Sequence, residues 1–195
     1  MAILSEHGSS GYGNQMLTVG LTGGMGSGKS VVCDMLEARG YEAVALTGKA
    51  EQASYLESIG AARVLVRGEV DFGARPMEKA EWAGGIDNLG GEALTWLTRT
   101  VDYGGNIASI GLAASHELNT TVLPFILRAV CLLGINSVET PRDLRLAVWR
   151  RLGSDLKPRH LDKIASNTVK FAELPGAFQA FIDGEVVGRT LVEIG

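Results

Sequence analysis

Cysteine is scarce in this chain: only Cys33 and Cys131 occur in 195 residues. Two thiols cannot build a disulfide framework, and both sit inside apolar runs. Buried free thiols in a reducing cytoplasm are therefore expected. Long apolar runs are missing as well, since none reaches the ~18 residues of a membrane-spanning helix. The first residues, Met1–Gly8, show no basic segment ahead of an apolar core, so no secretory signal is expected. Basic runs are absent and the net charge is −4, which argues against nucleic acid as a partner. His7, His116 and His160 are scattered, and no His-x-x-His or Cys-x-x-Cys spacing suggests a metal site. No internal repeat or low-complexity segment is present.

What is present is an ordinary globular composition, 46% hydrophobic and 21% charged, with 26 glycines. Short apolar runs alternate with helical spacing. Strands are expected at Met16–Leu21, Glu42–Leu46, Arg63–Val66, Gly84–Leu89, Asn106–Leu112 and Ala129–Ile135. Helices are expected at Lys29–Arg39, Glu51–Ile59, Pro76–Trp82 and Glu92–Thr100, with a turn or short helix at Pro124–Arg128. This alternation predicts a doubly wound, parallel α/β sheet of about six strands, Rossmann-like, with any ligand at the carboxyl ends of the strands. Residues 1–15 read as a lead-in helix and linker, and 16–140 as the nucleotide-binding domain. Residues 141–195 form a helix/strand tail containing helices at Arg142–Leu156 and Leu174–Ile182 and strands near Thr168–Phe171 and Gly188–Ile194. That tail holds too little apolar mass to be its own domain. Trp82, Trp96 and Trp149 are expected to be packing residues.

The stretch Thr22–Ser30, T-G-G-M-G-S-G-K-S, carries the chemistry and can be read in two ways. Gly23–Ser30 fits G-x-x-x-x-G-K-S, in which Gly23, Gly28 and the backbone amides would cradle phosphate, Lys29 would reach the β- and γ-phosphates, and Ser30 would hold Mg²⁺. The ligand would then be ATP with Mg²⁺. The block Val19–Ser30 resembles the opening of a dephospho-CoA kinase. Beyond it, the second strand ends in Leu46-Thr47-Gly48-Lys49 without the acid that phosphoryl transfer would need. Asp87 is the remaining candidate for a metal-holding acid, although a structural loop role suits it better. Asp87 with Glu92 makes no convincing acid/base pair, and no catalytic residue is assigned.

The second reading takes the same loop as a dinucleotide turn. About 20 residues past the glycines, an Asp or Glu would select NAD, whereas a small, neutral or basic strand tip leaves room for the 2′-phosphate of NADP. Thr47, Gly48 and Lys49 are of that kind, although a plain turn with a solvated lysine fits the same three residues.

From about Gly40 onward the chain resembles the C-terminal part of a medium-chain dehydrogenase/reductase, in the acrylyl-CoA reductase group often labelled quinone oxidoreductase. The residues that carry this are Y-E-A-V-A-L-T-G-K (41–49), Y-L-E-S-I-G-A-A-R-V-L (55–65), R-P-M-E-K-A-E-W-A-G-G-I-D (75–87), Y-G-G-N-I-A-S-I-G-L-A (103–113), T-T-V-L-P-F-I-L-R-A-V-C-L-L-G-I-N-S-V (120–138) and G-R-T-L-V-E-I (188–194). The resemblance implies an NADP(H)-binding portion of a zinc-independent reductase of activated C=C bonds. It places Thr47, Gly48 and Lys49 at the adenosine phosphate and Gly111, Leu112 and Ala113 beside the nicotinamide. It also places Phe125, Ile126, Leu127 and Arg128 near the cofactor and the subunit contact, and Arg189 near the cleft. It further implies a homodimer through strand 129–135. In the glycine turn Thr22, Gly23, Gly26 and Ser30 fit the family's pattern, while Ser27 and Lys29 stand where it has glycines. The resemblance covers only the cofactor-domain side of the family, so the 195 residues are expected to be a truncated reductase that lacks the family's N-terminal catalytic domain. A non-catalytic dimerising module is the third reading.

Overall fold

The structure is a computed structural model; it describes residues 18–21, 36, 40–183 and 185–195. Six strands form one sheet in the order β3-β2-β1-β4-β5-β6. They are β1 (Thr18–Leu21), β2 (Glu42–Thr47), β3 (Arg63–Val66), β4 (Trp82–Asp87), β5 (Val101–Ser109) and β6 (Cys131–Gly134). Every neighbouring pair is parallel. The chain builds outward from β1 to β3, returns to β4 on the other side of β1, and builds outward again to β6. The strand order reverses between β1 and β4, and ligands of such sheets sit outside the carboxyl ends at that point.

Two buried clusters hold the sheet. The larger joins Val44, Leu46, Trp82, Leu97, Val101, Ile107 and Val130. Its main cover is helix Gly91–Thr100, which is buried on most sides and gives Ala93, Leu94, Trp96 and Leu97 to the cluster. Trp82 meets Trp96 edge-on at 5.5 Å, and Phe72 tilts against Trp96 at 5.5 Å. Trp82, Leu97, Val101 and Ile107 are almost wholly buried, and each such side chain contributes about 1.5–3 kcal/mol of transfer free energy. The second cluster joins Ala43, Ala45, Leu56, Ile59 and Ala61 with Ile164 from the tail.

The tail meets this cluster through the short helix Leu161–Ile164. Lys163 Nζ donates to the Ser58 carbonyl at 2.8 Å, and Arg189 N–H donates to the Ile164 carbonyl at 2.6 Å. Beyond that anchor the tail forms its own parallel pair, β7 (Asn167–Lys170) and β8 (Thr190–Glu193), with helix Leu174–Ile182 between them. Phe171, Phe178, Phe181, Ile182, Leu191 and Ile194 of this unit are exposed.

Several expectations need correction. Pro76–Trp82 forms no helix: Glu78 N–H and Glu81 N–H donate to the carbonyls of Arg99 and Thr100. That tertiary pairing outweighs the helix-start signal of Pro76, and Trp82 instead opens β4. The fifth strand begins at Val101 and ends at Ser109, which leaves Gly111–Ala113 in the loop beyond it. Helix Arg142–Leu152 stops at Gly153, short of the expected Leu156. Trp149 on that helix is 65% exposed and packs no core. Cys131 is exposed rather than buried; it lies on β6, which ends the sheet and has no neighbour on one side among the described residues. The lead-in segment 1–15, the helix Lys29–Arg39 apart from Leu36, and Cys33 lie outside the described residues.

Candidate functional site

The carboxyl ends of the strands divide into two neighbourhoods. On the β2–β3 side, Thr47 is the last residue of β2 and is buried. Its hydroxyl oxygen accepts the Lys49 N–H at 3.2 Å, which folds the tip back in a tight turn. Gly48 sits exposed at the apex. A Cβ on Gly48 would stand 3.3 Å from Nη2 of Arg67. The guanidinium of Arg67 thus lies directly beside the glycine, carried there by the chain as it leaves β3. Thr47, Gly48, Lys49 and Arg67 make a small, neutral-to-basic corner with no carboxylate on the β2 tip. Arg67 was missed in the sequence, since it lies 18 residues beyond Lys49 in the chain. The parallel register of β2 and β3, with Thr47 opposite Val66, brings the two together.

On the β4–β5–β6 side, Asp87 ends β4 fully buried. Its carboxylate accepts the Leu89 N–H at 3.2 Å and the Gly90 N–H at 2.8 Å. Asp87 thus organises the loop that opens helix Gly91–Thr100, a structural role that competes with holding a metal. Gly90 adopts φ 69°, ψ −162°, a region open essentially to glycine alone, and a Cβ there would stand 2.0 Å from the Ser115 carbonyl oxygen. The loop after β5 lies along this turn. Ile110 N–H donates to the Asp87 carbonyl, Ala113 N–H to Asn88, and Ala114 N–H to Leu89, at 2.8, 3.1 and 2.9 Å. Gly111 is as close, its notional Cβ 3.0 Å from the Asn88 carbonyl oxygen. The result is a cleft of about 500 Å³ in which Gly111 and Leu112 face Ser115, His116, Glu117 and Asn136.

The remaining candidates are not brought to either neighbourhood. Phe125 and Leu127 lie on the short helix Leu123–Leu127, Phe125 against the larger core and Leu127 largely exposed. The Arg128 guanidinium donates to the carbonyls of Glu78 (2.5 Å), Arg99 (2.9 Å) and Val101 (3.4 Å). Val101 is the first residue of β5, so this clamp sits at the amino end of the sheet, roughly 20 Å from the carboxyl end at strand rise. Arg189 is exposed beside Ile164. The glycine-rich loop candidates Thr22, Gly23, Gly26, Ser27, Gly28, Lys29 and Ser30 lie outside the described residues. Among the described residues no group of three or more His, Cys, Asp or Glu could hold a metal ion, and no helix is long and apolar enough to cross a membrane.

Comparison with known proteins adds the decisive observation. "Putative quinone oxidoreductase YhfP" of Bacillus subtilis is 41% identical over 192 residues, 98% of this chain and 57% of that protein. "Acrylyl-CoA reductase AcuI" of Ruegeria pomeroyi is 38% identical over 192 residues, again 98% of this chain and 57% of its own length. The chain is a homologue of these reductases. It spans somewhat more than half of their length. Among solved structures, the Salmonella enterica YhdH oxidoreductase in complex with NADP superposes with a TM-score of 0.84 at 39% identity, covering 92% of this chain and 55% of that one. Bacillus subtilis YhfP with NAD bound gives 0.86 at 40% identity, covering 94% and 56%. No protein-family model matches the chain. The sheet is thus the Rossmann-like fold expected from the alternating pattern. The kinase-like reading of Gly23–Ser30 finds no support in these relatives, which are oxidoreductases across the same residues.

Proposed function

We propose that this chain is the NADP(H)-binding portion of an oxidoreductase that reduces activated C=C bonds of the acrylyl-CoA or quinone type. The observation that carries the choice of NADP(H) over NAD(H) is the corner at Gly48, where a strand tip without a carboxylate meets the Arg67 guanidinium. An acid there would accept from the ribose 2′-hydroxyl, whereas this corner offers space and positive charge to an esterified phosphate. The residues present fit the group: Thr47, Gly48, Lys49 and Arg67 would hold the adenosine phosphate, and Gly111, Leu112 and Ala113 would border the nicotinamide. The bound cofactor would supply a hydride. The chain's own residues bind and orient it, with the Asp87-organised turn and Gly90 fixing the nicotinamide wall. The relatives' names support the oxidoreductase reading, and the NADP held by the Salmonella enterica structure supports NADP(H), while the Bacillus subtilis relative holds NAD. Competition binding tests it. NADPH should bind and ATP–Mg²⁺ should not displace it, and Lys49→Ala should weaken NADPH selectively. NADPH failing to bind while ATP–Mg²⁺ binds, with Lys29→Gly abolishing it, would reverse the assignment.

A second reading concerns assembly. Among the described residues strand β6 pairs on one side only, and Val122, Ile126, Leu127, Leu133, Ile135 and Val138 are exposed. An open apolar edge is an aggregation hazard unless another strand covers it. We infer a homodimer that pairs β6 with its copy. Light scattering on a size-exclusion column should give twice the chain mass, and a monomer at micromolar concentration would dismiss the idea.

A further inference from the structure

Ile135 belongs to two surfaces at once. It lines the cleft beyond β5 with Ile110, Leu112 and Leu118, and all four keep exposed side chains. It also stands just past β6, a strand that among the described residues pairs on one side only. The Ile135 N–H donates to the Ser109 carbonyl at 2.9 Å, so the cleft is bounded here by the edge of the sheet itself. The exposed apolar residues flanking β6 form two groups. Val122, Ile126 and Leu127 precede the strand, and Ile135 and Val138 follow it. The first group sits at the amino end of the sheet, where the Arg128 carbonyl accepts the Gly104 N–H at 2.7 Å and the Arg128 guanidinium reaches the Val101 carbonyl. The second sits at the carboxyl end, about 13 Å away at strand rise. Neither group can cover the other within one chain. Between Asn119 and Val138 the chain carries a single charged side chain, Arg128, and its guanidinium is given to the fold's own carbonyls. Sheet edges that must stay free are commonly guarded by charge. In a chain of net charge −4, this unguarded edge is a face where two copies meet without like charges opposing them.

Resting on the readings of β6 as a dimer edge and of this cleft as the nicotinamide end, we propose that the partner subunit completes the cleft. Two copies that pair β6 about a two-fold axis normal to the sheet run antiparallel. The start of one strand then lies beside the end of the other. Val122, Ile126 and Leu127 of the partner subunit thereby meet Ile135 and Val138, and the contact repeats at the second cleft. Each exposed group finds in the other copy the cover it lacks in its own. Because Ile135 is shared with the cleft, that cover also walls the cleft on its open side. The wall is apolar and keeps water from the nicotinamide end. The corner at Gly48 lies at the other edge of the sheet, on the β2–β3 side, and is built by one chain alone. The partner subunit contributes side chains and no backbone donors. The amides of Phe125, Ile126 and Arg128 are bonded to the carbonyls of Val122 and Pro124 within their own turn, and they stay quiet when cofactor binds.

Cross-linking tests the geometry and cofactor fluorescence tests the wall. Leu127→Cys combined with Val138→Cys, in a Cys33→Ser and Cys131→Ser background, should give a covalent dimer on mild oxidation at micromolar concentration. Leu127→Cys or Val138→Cys alone should not, since each residue lies far from its own copy. The emission lifetime of NADPH bound to the native dimer should be longer, by about twofold, than that of NADPH bound to Leu133→Lys, whose charged edge cannot pair. Diluting the native chain until light scattering shows monomer should shorten the lifetime equally, which guards against a folding defect in the variant. A native dimer whose paired cysteines do not cross-link, or a bound NADPH lifetime that is the same in dimer and monomer, overturns the proposal and leaves the homodimer reading standing. A native chain that stays monomeric removes both. A cross-linked dimer that binds no NADPH removes the cofactor reading of the cleft, and the proposal with it.

Discussion

The two ends of the parallel sheet use arginine in opposite ways. At the amino end, Arg128 gives its guanidinium to the carbonyls of Glu78, Arg99 and Val101, and Arg99 reaches the carbonyls of Gly73 and Asn119. Arg75 is paired there with Glu78, which holds that carboxyl below its usual range chiefly through the hydrogen bond between them. Arg128 and Arg99 fasten the irregular segment between β3 and β4 to the body of the domain, and the Arg75–Glu78 pair lies within that segment. At the carboxyl end, Arg67 lies beside Gly48, and among the described residues nothing accepts from it. A guanidinium satisfied by the protein's own backbone is part of the fold, whereas one held at the tip of a glycine turn is available to an anion. The local sequences do not show this difference, and only the partners do.

That contrast can be broken by substitution, beginning with the largest effect. Gly90→Ala forces a side chain into a glycine-only conformation and against the Ser115 carbonyl. It should lower stability by about 3 kcal/mol, read by urea unfolding, and should weaken NADPH binding as the cleft distorts. Arg128→Ala takes a donor from the carbonyls of Glu78, Arg99 and Val101, of which that of Arg99 keeps the Glu78 N–H, and should cost about 2 kcal/mol. The affinity of the folded fraction for NADPH should stay unchanged, and a selective loss of NADPH binding would move Arg128 into the site. Arg67→Ala should show the mirror image: unfolding shifts by less than about 0.5 kcal/mol, while NADPH weakens about tenfold and NADH hardly at all. The smallest effect is expected at Ala129, which holds φ 49° just before β6. Ala129→Gly relieves that strain and should stabilise the chain by about 0.5 kcal/mol after the entropy cost of glycine.

Most of the sheet was legible in the sequence because a parallel strand buried on both faces is a short apolar run bounded by turn residues. Glu42–Thr47 and Arg63–Val66 are found almost where that pattern puts them. The pattern failed where tertiary hydrogen bonds outweighed local preference, as at Pro76–Trp82, whose amides serve the end of a neighbouring helix. It also failed where an apolar residue faced the open edge, as at Cys131, and where an aromatic lay on an uncovered helix, as at Trp149. The site was legible only in part. Thr47-Gly48-Lys49 could be named from its distance to the glycines, but Arg67 comes from just past the end of the adjacent strand, and only the β2–β3 register reveals it. Arg128 was set near the cofactor by the resemblance alone, and the carbonyls its guanidinium serves are 27 and more residues away in the chain, so the sequence around it does not show them.

The most direct test is an amide chemical-shift map of the chain on adding NADPH. The account predicts strong perturbation at Thr47–Lys49, Arg67 and Gly111–Ala113, together with the glycine-rich loop, and quiet amides at Phe125–Arg128. Perturbation concentrated around Arg128 and Glu78, with Gly48 and Arg67 unmoved, would contradict it.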